Sequence, residues 1–122
     1  MAHELILIVD DNERNRKLAR DVLQFAGFRT LEAGGGAEGL ALAVEHRPDL
    51  VLMDIRMPDI NGTEAVRKLR EDERTAAIRV LALTSSTMKG DREPFLADGF
   101  DGYLDKPIRV RDFPNQVRAH LA

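Results

Sequence analysis

The chain has 122 residues, of which 43% are hydrophobic and 32% are charged, and its formal net charge at pH 7 is -3. This balance predicts one globular domain over residues 1–122, with a single sizeable core. A mildly acidic chain without a basic run argues against nucleic acid or a membrane surface as the main partner. The absence of cysteine excludes disulfides, thiol catalysis and thiolate metal sites.

The amino-terminal segment predicts neither export nor membrane insertion. Its apolar run at residues 5–9 is too short for a signal peptide or a membrane span, and no basic segment precedes it. We therefore expect a cytoplasmic protein. The sequence contains no repeat, low-complexity tract or linker, so we expect no effector domain within this chain.

Short apolar runs predict β-strands. They occupy residues 5–9, 28–33, 50–53, 78–83 and 102–105. The run at 50–53 is unbroken, which suits a strand buried on both faces of a parallel sheet. The run at 28–33 alternates more weakly, which suits an edge strand.

A segment with helical spacing follows each apolar run. We expect a first helix from Asn12 or Glu13 to about residue 26, and further helices over residues 37–45, 63–70 and 91–98. The first helix carries Leu18, Val22 and Phe25 on one apolar stripe and should stop at Gly27. Strands and helices therefore alternate along the chain.

A last helix closes the chain. Phe113, Val117 and Leu121 are four residues apart and should share one apolar face. Proline is tolerated only in the first turn of a helix, so Pro114 places the start of this one at Asp112 or just before it.

The alternation of strand and helix, without a hairpin signal between strands, predicts the fold class. It requires a doubly wound α/β domain, in which right-handed crossovers build a parallel sheet with helices on both faces. The carboxyl ends of parallel strands all lie at one edge of such a sheet, and ligands bind there. The residues that end the strands are therefore the candidate site.

These strand-ending residues are polar, and the fold should bring them together. They are Asp10, Asp11, Asp54, Thr84 and Lys106. Carboxylates at contact distance repel by about 4 kcal/mol per pair at an effective dielectric constant near 20, and one lysine cannot balance three of them. A hard divalent cation can, and Mg2+ prefers a few carboxylates together with water and phosphate oxygens. We expect a magnesium site at this edge.

The same residues, taken in order, resemble the receiver domain of two-component response regulators. The resemblance covers the whole chain and rests on Asp10-Asp11, Asp54, Met57-Pro58, Gly62, Thr84, Tyr103 and Lys106-Pro107. It implies a flavodoxin-like fold with strand order 2-1-3-4-5 and five helices. The chain resembles the single-domain regulators, and its residues 88–93 look most like cell-cycle regulators and the receivers of hybrid histidine kinases.

The resemblance also implies a function. Asp54 would accept a phosphoryl group from a phosphohistidine of a histidine kinase or a histidine phosphotransfer protein. Asp10, Asp11, an Asp54 oxygen and the backbone carbonyl of Arg56 would hold Mg2+, and Lys106 would pair with the phosphoryl oxygens. Such a protein is not an enzyme in the ordinary sense, since it catalyses only its own phosphorylation and loses the group slowly.

The implied output is a change of surface. Thr84 would bind a phosphoryl oxygen, and its displacement would let Tyr103 turn inward. A downstream protein would read the face made by the fourth helix, the last strand and the last helix. In the family the bond between Lys106 and Pro107 is usually cis, which would aim the lysine at the site.

Two other functions share parts of this pattern. A magnesium-dependent phosphatase with an aspartyl intermediate would carry a second aspartate two residues after Asp54, where this chain has Arg56. A flavodoxin-like electron carrier shares the fold, but the acids at residues 10–13 would repel a flavin phosphate. Singly, each of the site residues is also compatible with an ordinary surface or capping role.

Overall fold

The computed structural model of the protein describes residues 4–57, 59–84, 99–105 and 108–121. Strands and helices alternate from residue 5 to residue 84, and the described residues from 99 onward form one more strand and one more helix. The elements are β1 (Leu5–Val9), α1 (Glu13–Phe25), β2 (Arg29–Ala33), α2 (Gly36–His46), β3 (Leu50–Asp54), α3 (Gly62–Glu71), β4 (Arg79–Thr84), β5 (Gly102–Asp105) and α4 (Phe113–Leu121). The helix predicted at residues 91–98 lies outside the described residues, so α4 denotes the last helix of the chain.

All five strands form one parallel sheet with the order β2-β1-β3-β4-β5. This confirms the predicted doubly wound α/β fold, its strand order and the edge position of β2. The central strand β3 is buried along its whole length, as its unbroken apolar run predicts.

The core consists of two apolar layers, one on each face of the sheet. Because successive side chains of a strand point to opposite faces, each strand contributes to both layers. One layer joins Ile8, Leu52 and Leu83 to α1 and α4, and the other joins Val9 and Met53 to α2 and α3. The sheet is therefore covered on both faces. A ligand can approach it at the ends of the strands.

Helix α1 begins at the predicted residue but presents a different face to the core. The Asn12 side chain accepts a hydrogen bond from the Asn15 N–H at 3.1 Å, which makes Asn12 the N-cap. An apolar stripe normally faces the core. The predicted stripe does not, because Phe25 is 96% exposed and Leu18 is 39% exposed.

The residues of α1 that are buried are Ala19 and Leu23. They lie four positions apart, and Leu18 and Phe25 are about 100–120° around the helix from Ala19 at 3.6 residues per turn. The small Ala19 side chain lets the helix lie close to the sheet, and Val22 and Ala26 pack partly against the same core layer. The helix is therefore rotated relative to the sequence prediction.

Helix α4 matches its prediction. Phe113 and Val117 are buried, and Leu121 packs partly against the core layer shared with α1. Pro114 is the second residue of the helix, and the Gln116 N–H donates to the Asp112 carbonyl at 3.0 Å, as expected if Asp112 precedes the first turn. None of the helices among the described residues is long and apolar enough to span a membrane.

Candidate functional site

Three carboxylates meet at the carboxyl edge of the sheet. Asp10 and Asp11 follow β1, and Asp54 is the last residue of β3. One oxygen of each carboxylate lies within 4.8 Å of the others. Asp11 is exposed, whereas Asp10 and Asp54 are 1% and 6% exposed. Two of the three acidic residues are therefore nearly buried. We refer to these three residues as the acid cluster.

The sheet register produces this cluster. Strands β1 and β3 are parallel neighbours in which Val9 pairs with Met53. The next residues, Asp10 and Asp54, therefore stand side by side on the face of the sheet that carries α1 and α4. The Asp10 N–H donates to the Ala33 carbonyl at 3.1 Å, which extends the ladder with β2 and fixes the Asp10 backbone.

Local hydrogen bonds orient two of the carboxylates. Asp10 Oδ1 accepts from the Asn12 N–H at 2.9 Å, and Asp54 Oδ1 accepts from the Arg56 N–H at 3.2 Å. Both bonds join a carboxylate to the backbone two residues later, so the loops after β1 and β3 turn back over the cluster. The exposed side chain of Arg56 extends from the second of these loops.

The chemistry of this donor set fits magnesium. Two nearly buried carboxylates beside a third are costly when charged unless a counter-charge pairs with them. Carboxylate oxygens, with a backbone carbonyl and water, are the ligands that Mg2+ selects, whereas zinc sites are usually rich in nitrogen or sulfur. Asp10, Asp11 and Asp54 are therefore suited to hold a hard divalent cation.

Of the remaining predicted residues, Thr84 lies at the same edge of the sheet and Tyr103 lies within β5. Thr84 is the last residue of β4 and is 7% exposed, one position beyond the Leu83 that pairs with Asp54. Tyr103 is partly buried in β5, where it pairs with Ala82. Lys106 and Pro107 lie outside the described residues.

A model of the response regulator receiver domain matches residues 6–118 of the chain. The chain belongs to this family. The polar-differentiation response regulator DivK of Brucella anthropi is 42% identical over 116 residues, which cover 95% of this chain and 94% of DivK. Receiver membership replaces the phosphatase and electron-carrier alternatives and establishes a role in two-component signalling.

Solved structures of receivers have the same fold. Chemotaxis protein CheY4 of Vibrio cholerae superposes with a TM-score of 0.91 at 29% identity, over 98% of this chain and 99% of CheY4. The receiver domain of sensor histidine kinase PA1611 from Pseudomonas aeruginosa PAO1 superposes with a TM-score of 0.88 at 31% identity, over 98% of each chain. The PA1611 receiver structure holds a magnesium ion in its active site cleft.

Sequence reasoning missed an arginine that supports the acid cluster of the receiver. Arg16 Nη1 donates to the Asp10 carbonyl at 2.8 Å, and Arg16 Nε pairs with Glu32 at 3.4 Å. The guanidinium thus links the loop after β1 to the end of β2. Arg16 has the sequence signature of an ordinary helix-surface residue, because its contacts with the Asp10 carbonyl and with Glu32 on β2 depend on how α1 packs against the sheet.

Sequence reasoning also missed Asp59, in the loop between β3 and α3. Its carboxylate accepts from the Ala37 N–H at 2.9 Å and from the Gly36 N–H at 3.0 Å. These backbone hydrogen bonds lower the pKa of Asp59 from 3.8 to about 2, and the bond from Ala37 has the largest effect. The partners lie 22 and 23 residues away along the chain, so no local pattern identifies them.

A small cleft opens beside the acid cluster on the α1 side. The side chains of Asn15, Leu18 and Ile108 line it, together with Asp10 and Leu83. Leu18, on α1, is the exposed apolar residue of this lining. An apolar surface therefore borders the approach to the acids of the receiver.

Proposed function

We propose that this receiver accepts a phosphoryl group on Asp54 and signals through the resulting change of surface. The observation that carries the proposal is the acid cluster, in which Asp54 stands at the end of the central strand within 4.8 Å of two further carboxylates. Family membership supplies the context of two-component signalling.

The proposed transfer forms one bond and breaks another. An Asp54 carboxylate oxygen attacks the phosphorus of a phosphohistidine on the partner. The phosphorus–nitrogen bond of the donor breaks, its electron pair returns to the imidazole, and an acyl phosphate remains on Asp54. The hydrogen bond from the Arg56 N–H to Asp54 Oδ1 fixes the orientation of the nucleophile before transfer.

Magnesium is the proposed cofactor. Asp10, Asp11, Asp54 and the backbone carbonyl of Arg56 would hold it, and a bound Mg2+ would neutralise charge on the acids and on the transferring group. Lys106 is proposed to pair with the phosphoryl oxygens from the end of β5. The magnesium-bound PA1611 receiver, 31% identical, supports this choice of ion.

The protein acts as a signalling regulator, and its chemistry is proposed to be limited to its own phosphorylation. Asp54 and its neighbours would promote transfer to themselves, and the acyl phosphate would then hydrolyse slowly.

Histidine kinases and downstream proteins are the partners of receivers, and we propose a separate surface for each. The phosphohistidine donor would dock on the amino-terminal half of α1, where Leu18 and Ile108 offer apolar contacts beside Asp10. The downstream protein would read the face that the family resemblance predicts, of which β5 and α4 are the described elements. Exposed Arg109 and Arg111 near α4 favour an acidic partner there.

The switch between these surfaces is proposed to be Thr84 and Tyr103. Ala82 and Thr84 share one face of β4, and Tyr103 pairs with Ala82. A Thr84 hydroxyl drawn toward a phosphoryl oxygen would therefore move away from the neighbourhood of Tyr103. The aromatic ring could then turn inward and alter the surface of β5.

Phosphorylation by a small donor tests the proposal directly. With Mg2+ and acetyl phosphate, the intact mass should rise by one phosphoryl group, and Asp54→Asn should abolish the gain. Asp72→Asn is the matched control, because Asp72 is a carboxylate at the end of α3 with its own hydrogen bonds to Arg74. Unchanged labelling of Asp54→Asn would remove Asp54 as the acceptor.

A further inference from the structure

The amino terminus of α2 is capped by a residue from another loop. Gly35 precedes the helix and provides no side-chain hydrogen bond, so the first N–H groups need acceptors from elsewhere. The two carboxylate oxygens of Asp59 accept from the Gly36 and Ala37 N–H groups at 3.0 and 2.9 Å. The loop between β3 and α3 thus supplies the cap that the local sequence lacks.

This loop is held against α2 by packing as well. A Cβ atom at Gly36 would overlap the Cγ1 atom of Ile60, so only glycine allows Ile60 to lie this close. At its other end, the loop is closed by a hydrogen bond of 2.8 Å from the Gly62 N–H to the Ile55 carbonyl. The described residues of this loop are therefore attached both to α2 and across the ends of the loop.

Arg56 lies in this loop, directly after Ile55. Its N–H donates to Asp54 Oδ1, and its carbonyl is the proposed backbone ligand of Mg2+. Magnesium requires nearly ideal octahedral geometry at about 2.0–2.1 Å, so a small displacement of one ligand lowers its affinity. Whatever fixes the path of this loop therefore affects the metal.

We propose that Asp59 is a positioning residue for the metal site, which it serves by tying the loop that carries Arg56 to the amino terminus of α2. The inference rests on the proposed function, because it assumes that the acid cluster and the Arg56 carbonyl bind Mg2+. Asp59 itself holds no ligand position; it acts through the backbone three residues before it.

The competing explanation is that Asp59 only caps α2. The conformation of Gly35 allows the capping role and the positioning role to be tested separately. Gly35 has φ -167° and ψ 170°, an extended conformation that any residue adopts and that N-cap residues typically have. An aspartate at Gly35 could cap α2 locally. Its Cβ would lie 3.1–3.3 Å from the Asp59 carboxylate, so the substitution is best made with that carboxylate removed.

The experiment measures two quantities on the same set of variants, the Mg2+ dissociation constant by calorimetric titration and the thermal midpoint without metal. Asp59→Ala should lower the midpoint and weaken Mg2+ binding by about 10-fold, the lower end of the effect of residues that orient metal ligands. In the double variant Gly35→Asp/Asp59→Ala, the midpoint should recover while the weak Mg2+ binding persists. Asp59→Asn, which keeps one acceptor oxygen, should lose less of both.

Asp72→Ala is the matched control. Asp72 is another carboxylate that receives hydrogen bonds within a turn, from the Arg74 N–H at 2.9 Å and the Arg74 side chain, but it follows the carboxyl end of α3. Its loss should lower the midpoint and leave Mg2+ affinity unchanged. This separates a specific effect on the metal from a general loss of stability.

Each result decides between the explanations. Recovery of both quantities in the double variant, or unchanged Mg2+ affinity in Asp59→Ala, would overturn the positioning role and leave the magnesium site intact. A wild-type protein that does not bind Mg2+ would overturn the proposed function and this inference together. Recovery of the midpoint alone supports the positioning role.

Discussion

Asp11 is the exposed residue of the acid cluster, and it should contribute to metal binding more than to folding. In the absence of metal its carboxylate stands beside Asp10 and Asp54 and repels both. Because Asp11 is exposed, water screens part of this repulsion. Removal of the side chain therefore relieves strain in the metal-free protein and deletes one ligand from the metal-bound one.

We predict that Asp11→Ala raises the thermal midpoint of the metal-free protein by a few degrees, which corresponds to about 1 kcal/mol for a domain of this size. The same variant should lose most of the stabilisation that Mg2+ gives to the wild type, because a ligand that binds only the folded state stabilises it. Thermal melts with and without Mg2+ measure both effects.

Asp21→Ala is the control for this prediction. Asp21 is an exposed carboxylate on α1 that pairs with Arg20 at 3.0 Å, away from the cluster. Its removal should not raise the midpoint or change the response to Mg2+. If Asp11→Ala instead unfolds the protein, Asp11 has a structural role and the metal site is wrong.

Single residues of the site differed in how far the sequence could predict them. Asp10 and Asp54 were predictable, because a carboxylate directly after an apolar run in an α/β pattern must lie at the carboxyl edge of the sheet. Arg16 and Asp59 were not, because their hydrogen bonds go to backbone atoms of other elements. Almost every residue type has the same backbone N–H and C=O groups, so the identity of the partner residue does not reveal such a hydrogen bond.

At the level of elements, α1 carries two exposed apolar residues at different distances from the acid cluster. Leu18 lines the cleft beside Asp10, whereas Phe25 lies seven residues further along the helix, about 10 Å away at 1.5 Å per residue. Phe25 lies instead near Val110 and Pro114 at the start of α4. Substitutions of Leu18 and Phe25 can therefore distinguish a partner that docks beside the acid cluster from one that contacts the whole exposed surface of α1.

We predict that Leu18→Asp slows phosphoryl transfer from a phosphorylated histidine kinase at least 10-fold and leaves labelling by acetyl phosphate unchanged. A small donor needs no docking surface, whereas an aspartate placed in an apolar contact at the interface would leave a charge buried without a partner, and a cost of about 1.4 kcal/mol is already 10-fold. Phe25→Asp, at a still more exposed position, should leave both reactions near the wild-type rate. Radiolabel transfer over seconds and intact mass measure the two reactions.

Equal slowing by Leu18→Asp and Phe25→Asp would move the docking surface to the whole of α1. Slowing of the acetyl phosphate reaction by Leu18→Asp would instead mean that the substitution disturbs the acid cluster. Only a selective loss with the kinase supports the proposed donor surface.

The orientation of α1 shows what element patterns leave open. Its capping residue and length were predictable, because Asn12 and Gly27 mark its ends. Its buried face was not, because its apolar and small residues spread over about 160° at 100° per residue, so more than one orientation places apolar side chains against the core. Contact with α4 then selects Ala19 and Leu23 for the core and leaves Phe25 exposed.

At the scale of the molecule, the sheet contains both the proposed acceptor Asp54 and the proposed switch residue Tyr103. Strand order and the position of the site followed from the alternation of strand and helix together with the family pattern, because parallel crossovers have one hand. The single-domain extent over residues 1–122 and the cytoplasmic location stay predictions, as do the roles of Lys106 and of the bond to Pro107. The described strands β3, β4 and β5 are paired neighbours, so the proposed path from Asp54 to Tyr103 would cross them.

Tyr103 provides a direct optical signal for this path. The chain has one tyrosine and no tryptophan, so its intrinsic fluorescence comes from Tyr103 alone. Tyr103 pairs with Ala82, and Thr84 lies two residues further on the same face of β4, about 6.6 Å along the strand. Movement of the Thr84 hydroxyl should therefore change the surroundings of the ring.

We predict that Mg2+ with beryllofluoride, a mimic of the phosphoryl group, changes the tyrosine fluorescence of the wild type and of Thr84→Ser but not of Thr84→Ala. Serine keeps the hydroxyl that would bind the mimic, and alanine lacks it. Thr84→Ala should still accept phosphate from acetyl phosphate, because the hydroxyl is proposed to detect the group rather than to receive it. The coupling free energy between the phosphoryl site and the surface around Tyr103 should be about 1–3 kcal/mol in the wild type, the usual value for two linked sites.

Binding of the mimic must be shown separately from its effect on Tyr103. Calorimetric titration should give saturable binding of beryllofluoride in all three proteins, so that silent fluorescence in Thr84→Ala reports lost coupling. Asp54→Asn, which lacks the acceptor, should show neither binding nor a fluorescence change. A full fluorescence response in Thr84→Ala would remove Thr84 from the switch, because the ring would then sense Asp54 by a route that does not use the hydroxyl.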